Sequence, residues 1–234
     1  MSKWLLTVLF LVGSAFLTRL IPFSLFFRYV DTMVHEFGHA VTALLLAGRV
    51  LSIELYPDQS GVTLTVLSEP WVLLPVALSG YMAASLFAWL LFYLDSKGQH
   101  RKGLGIAALV AIVMLGLFVR NGYGMLWLTG FVLLLLVMLI WGGRRVSRWV
   151  YWLIAFLSLE ESVMGPLTLL IMAWNDPAQA GDATSLARAT AVPALVWAGW
   201  FLFFSLWCAK HSLQHFFGYS RKRKSRRMLA SRAL

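Results

Sequence analysis

Charge is what this 234-residue chain has little of: 13% of its residues are Asp, Glu, Lys or Arg, against 60% hydrophobic, and the mean hydropathy is +0.76. Soluble domains carry roughly 25% charged residues. A soluble fold would have to bury far more apolar surface than a chain of this length can enclose, and several apolar runs are long enough to cross a bilayer. The composition is that of a polytopic membrane protein. Cysteine is scarcer still: Cys208 is the only one, so no intrachain disulfide can form, and its apolar surroundings mark it as a soft buried residue. Acids are also few, 10 against 20 bases, for a formal charge of +10. Eight of those bases (Lys210, Arg221, Lys222, Arg223, Lys224, Arg226, Arg227 and Arg232) lie in residues 209–234, which hold no acid. The excess is therefore local. Behind an apolar segment, such a tail reads as cytoplasmic and attracted to anionic lipid headgroups, and no nucleic-acid partner is expected.

Apolar segments at about 4–27, 30–48, 71–94, 103–119, 123–141, 149–173 and 190–208 predict an all-α polytopic membrane fold of about six to seven transmembrane helices. Residues 1–208 are expected to form one transmembrane domain and 209–234 a basic tail. The N-terminus has features of a signal peptide, Lys3 followed by WLLTVLFLVG, but more apolar sequence follows at once, so a retained first span is expected. Bases at Lys97, Arg101 and Lys102 and at Arg144, Arg145 and Arg148 mark cytoplasmic loops. Counting back from them puts the start of the 30–48 helix on the cytoplasmic side. The 49–70 connection then lies outside, or is tucked into the membrane as a re-entrant piece.

Between Arg49 and Pro70 the apolar period changes. SIELY, the turn-rich PDQSG and VTLTV alternate at period two, which predicts a small β-hairpin at about 50–67. Beside a membrane its free edge could grip an extended peptide by strand addition.

Within the 30–48 segment lies HEFGH, a match to H-E-x-x-H. On a helix, residues four apart share a face, so His35 and His39 can offer two imidazole nitrogens to one zinc ion. Glu36 lies close enough to take a proton from a zinc-bound water without itself binding the metal. Ionisable groups in a spanning helix cost up to about 3 kcal/mol each, so they persist mainly where a metal, a partner or a polar cavity satisfies them. HSLQH puts His211 and His215 at the same spacing but lacks the acid, and reads as an interfacial pair where the last span meets the tail. His100, in a basic loop, is expected to be solvated.

The stretch VHEFGHAVTALLLAGRVLSIELYPDQSG resembles the site-2 protease family of intramembrane zinc metallopeptidases, in particular its compact B-like branch, where the zinc helix runs straight into a small hairpin. GYMAAS at 80–85 and GDATSLARATAVPALVW at 181–197 resemble the same branch. The resemblance implies peptide-bond hydrolysis in or near the membrane, with zinc as cofactor, His35 and His39 as ligands and Glu36 as general base. It also implies a membrane-protein or membrane-peptide substrate, and a multi-pass position in a bacterial plasma membrane.

Site-2 proteases usually complete the zinc shell with an aspartate in an Asn-Pro-Asp-Gly or Leu-Asp-Gly setting, and this chain has neither. The candidates are Asp182, in the family-like GDATSLA stretch, and Glu160 or Glu161, in the SLEES run within a span. Asp176 opens an NDP turn and suits a turn role. At 1.5 Å per residue the histidines would lie roughly 6–12 Å from the cytoplasmic start of their helix, whereas Asp182 maps to the opposite side. Either a hydrophobic piece is re-entrant or Glu161 is the ligand. Two other functions fit the same residues: a metal- or proton-transporting membrane protein, and a catalytically silent scaffold that binds membrane peptides.

Overall fold

The computed structural model describes residues 24–230. The N-terminal signal-like stretch and most of the expected 4–27 span lie outside the described residues. Helix α1 (Ser24–Leu45) carries HEFGH and ends where Ala47 turns left-handed (φ 59°) and the Gly48 amide donates to the Ala43 carbonyl at 2.8 Å. A Cβ on Gly48 would lie 2.9 Å from that same carbonyl oxygen, so the tight reversal into β1 (Arg49–Leu55) requires glycine. β2 (Gly61–Val66) pairs antiparallel with β1, Leu55 opposite Gly61 and Ile53 opposite Thr63, with a bulge between Val50 and Ser52.

This hairpin does not project away from the bundle. Its turn reaches back down α1, where the Tyr29 hydroxyl donates to the Tyr56 carbonyl (2.6 Å) and the Thr32 hydroxyl to the Gln59 carbonyl (3.0 Å). It therefore runs alongside α1 for several turns. Leu51, Val62, Leu64 and Val66 form its exposed apolar face. The outer edge of β1 is closed: the Arg120 amide donates to the Ile53 carbonyl (3.2 Å), and the Asn121 carboxamide accepts from the Leu55 amide (3.2 Å) while donating to its carbonyl (2.6 Å). In an antiparallel ladder the outward-facing backbone groups alternate. Gly61, Thr63 and Thr65 therefore present theirs on the outer edge of β2, and no described backbone group pairs with them there.

A 3-10 turn (Pro70–Val72) leads into α2 (Leu73–Ser96). α3 (His100–Val113) widens into a π-type turn at Met114–Phe118, and α4 is Gly122–Ile140. α5 (Arg144–Asn175) is 32 residues long; a 3-10 turn at Pro177–Gln179 and the short α6 (Gly181–Thr190) then precede α7 (Ala194–Ala230). Among the described residues four helical stretches are long and apolar enough to cross a membrane: Pro70–Ser96, His100–Phe118, Gly122–Ile140 and Arg144–Asn175. The expected segments at 30–48 and 190–208 coincide largely with α1 and the start of α7, and the tail continues α7 without a break at 209. α1 falls outside the four for a chemical reason, since it carries Arg28, Asp31, His35, Glu36 and His39.

The bundle has a basic end, at the α2–α3 and α4–α5 turns, and an opposite end where α6 packs. Small side chains make the latter possible. Ala77 of α2, Ala173 of α5, Ala180 and Ala183 at α6, and Ala194 and Ala198 of α7 are all buried around Leu169, Leu186 and Phe201. Small residues let helix backbones approach closely, which seats a ten-residue helix against three long ones.

Candidate metal centre

His35 and His39 lie one turn apart on α1 with their rings edge to face, and their Nε2 atoms are 3.0 Å apart. Asp182 of α6 brings Oδ2 to 3.1 Å from His35 Nε2 and 3.4 Å from His39 Nε2. These three donor atoms all lie within 4.8 Å of one another, and they are the one such group of three or more His, Cys, Asp or Glu among the described residues. His39 Nδ1 is 2.7 Å from the Val76 carbonyl oxygen, which can only accept, so Nδ1 carries a proton and Nε2 is the nitrogen turned toward the cluster.

Two imidazole nitrogens and a carboxylate oxygen form a donor set suited to zinc. Four-coordinate zinc at about 2.0–2.1 Å per bond spaces its ligands by roughly 3.3 Å, close to the separations here. Space for this convergence comes from α2. A Cβ on Gly80 would lie 2.5 Å from His35 Nε2 and 2.6 Å from His39 Nε2. Gly80→Ala is therefore expected to push both rings off position and weaken metal binding by at least about tenfold, the lower end of what changes next to metal ligands cost. Titration with a competing chelator checks it; unchanged affinity would show that the rings have room to move.

Glu36 is 4% exposed and lies against the hairpin. The Thr63 hydroxyl of β2 donates to Glu36 Oε2 at 2.6 Å, and a Cβ on Gly61 would meet Oε1 at 2.6 Å. The hairpin thus borders the carboxylate directly.

Depth is where the sequence expectation needs correcting. Val76 and Gly80, which touch the histidines, lie within the first third of α2, so the site sits roughly 10 Å from Leu73 and about 25 Å from the basic end at Lys97. α1 also begins no later than Ser24, not at residue 30. The histidines therefore lie toward the end where α6 packs, and Asp182 reaches them from that same end. Asp182 sits in the first turn of its helix, behind the N-cap Ala180.

The other candidates go elsewhere. Glu161 forms an ion pair with Arg28 of α1, its second contact being Arg28 Nη2 to Oε2 at 3.2 Å. Glu160 is buried on α5 and outside the donor group. Asp176 accepts from the Ala178 amide and the Gln179 side chain, the turn role expected of it. His211 packs against Trp89 and Trp207, and His215 against Tyr93. His100 is not solvated: its Nε2 lies 2.6 Å from Asp95 Oδ1, which also accepts from Trp152 Nε1 at 2.8 Å, because a buried carboxylate needs partners.

Residues 4–211 match the Peptidase M50B-like family. The chain belongs to that family. An M50B-like chain is a membrane metallopeptidase by descent, which fits both its four apolar helices and its His/Asp cluster. No curated protein and no solved structure shows significant similarity to it. The two M50B-site features that sequence reasoning passed over are Gly80 and Thr63. GYMAAS and VTLTV had drawn notice for other reasons, and only three-dimensional contact ties them to the histidines and the glutamate.

Proposed function

We propose that this chain is a zinc-dependent intramembrane metalloprotease that hydrolyses peptide bonds in or near the membrane. The observation that carries the reading is the convergence of His35, His39 and Asp182 beside a glutamate held against an open strand edge. Those three residues would hold the metal, and Glu36 acts as general base. A bound zinc supplies Lewis acidity and lowers the pKa of a coordinated water toward about 7.

The chain's own groups do the rest. The Thr63 hydroxyl occupies Oε2 of Glu36, so Oε1 remains to take the proton of the attacking water and pass it to the leaving amine. The outer edge of β2 binds the substrate. In a bilayer its unpaired amides and carbonyls at Gly61, Thr63 and Thr65 are costly unless another strand satisfies them, and Asn121 already occupies the competing edge of β1. A substrate helix must unwind to pair there, which also frees the carbonyl that would be attacked.

Intramembrane transport would use further carboxylates along a path, yet Glu161 is neutralised by Arg28. The basic tail is proposed to rest on anionic headgroups at the cytoplasmic face. The test is full-length protein in detergent with a single-span membrane peptide, its products read by mass spectrometry. Chelation is expected to abolish cleavage and added zinc to restore it; cleavage indifferent to both would end the zinc reading.

A further inference from the structure

Tyr81 follows Gly80 on α2, and its ring stands edge-on to His35 with centroids 4.5 Å apart. The ring is held from two other sides. Phe201 of α7 lies 4.9 Å away centroid to centroid, and Gly165 of α5 is close enough that an added Cβ would come within 3.3 Å of Tyr81 Cε1. A helical side chain leans toward the N-terminus of its helix, which for α2 is the end where α6 packs. The phenol is thereby carried toward Asp182. No described residue accepts a hydrogen bond from the Tyr81 hydroxyl, although the ring is fixed and other hydroxyls of α1, α2 and the hairpin, those of Tyr29, Thr32, Thr63 and Ser79, have acceptors.

Fixed geometry and an uncommitted donor beside a metal cluster suit a particular task in peptide hydrolysis. As water oxygen bonds to the carbonyl carbon, the carbonyl oxygen takes on negative charge, and a preorganised donor there is worth more in the transition state than in the ground state. We propose that Tyr81 is a catalytic residue whose hydroxyl donates a hydrogen bond to that oxygen. The proton balance is simple. The water's proton goes to Glu36 and from it to the amine nitrogen as the C–N bond breaks, while Tyr81 keeps its own proton throughout. The assignment rests on the protease reading above and adds a residue to it.

Tyr81→Phe keeps the ring and its contacts with His35 and Phe201. In the zinc-loaded, full-length protein it is expected to lower kcat by about 10²-fold, the usual effect of removing one oxyanion donor, with KM and bound zinc unchanged. A second readout does not depend on turnover. A peptide phosphonate that mimics the tetrahedral carbon should bind the variant weaker by a similar factor, whereas binding of the parent peptide should change by less than twofold. Unchanged kcat overturns the assignment, as does loss of zinc or an equal weakening of parent peptide and phosphonate, since either would make the tyrosine a packing residue. Glu36→Gln, run in parallel, separates the two ideas. Full activity there removes Glu36 as the base and with it the mechanism on which the tyrosine assignment rests, while an inactive Glu36→Gln with an unimpaired Tyr81→Phe defeats the tyrosine alone.

Discussion

Glu36→Gln is expected to retain zinc and to lose cleavage, by about 10²–10⁴-fold, the range that a positioned general base contributes. The amide is nearly isosteric with the carboxylate, so it can stay against Gly61 and keep the hydrogen bond from Thr63, which needs only an acceptor. Glutamine cannot accept a proton from water at neutral pH. The ligand atoms on His35, His39 and Asp182 belong to other residues, so metal content should match that of the unsubstituted protein. Zinc measured by mass spectrometry and turnover measured on the same preparation check both halves. Retained turnover would remove Glu36 from the mechanism, and lost zinc would show that it supports the metal site instead.

Asp182→Ala is expected to lose both zinc and activity. Changes in residues that merely orient a ligand cost about 10–100-fold in metal affinity, so removal of a direct donor should cost at least the upper figure. Glu161→Gln gives the matched comparison. It alters the alternative ligand and should leave zinc in place, while depriving the partly buried Arg28 of its counter-charge and lowering stability by about 1–3 kcal/mol. Zinc content and thermal unfolding of the two variants are expected to split cleanly: metal lost with the fold largely kept for Asp182→Ala, metal kept with the fold weakened for Glu161→Gln. The reverse pattern would transfer the third ligand to α5.

Much of this arrangement was legible in the chain. HEFGH announces its chemistry because helical periodicity alone puts His35 and His39 on one face. Period-two alternation in SIELY and VTLTV marked the hairpin, and the strands fall at Arg49–Leu55 and Gly61–Val66. Asp182 is harder to place because depth decides it, and the apolar pattern misplaces the start of α1: the helix begins earlier than its apolar run because Arg28 is tolerated in it through Glu161. His100 went wrong for a related reason: its partner Asp95 lies in the preceding helix, and no local pattern announces a buried pair. Gly80 and Tyr81 carry no local signal of their roles, which exist only where α2 crosses α1.

The wide separation in sequence between the histidines and Asp182 has a consequence for biogenesis. A nascent chain that has inserted α1 and the hairpin holds the base and two imidazoles long before residue 182 has been synthesised. On the proposed zinc-protease reading, a metal with two ligands is weakly held, so the centre would load only after α5 is in place and α6 has docked on its alanine-lined seat. The order in which its own ligands are made would then keep an incomplete chain from cutting its neighbours in the membrane.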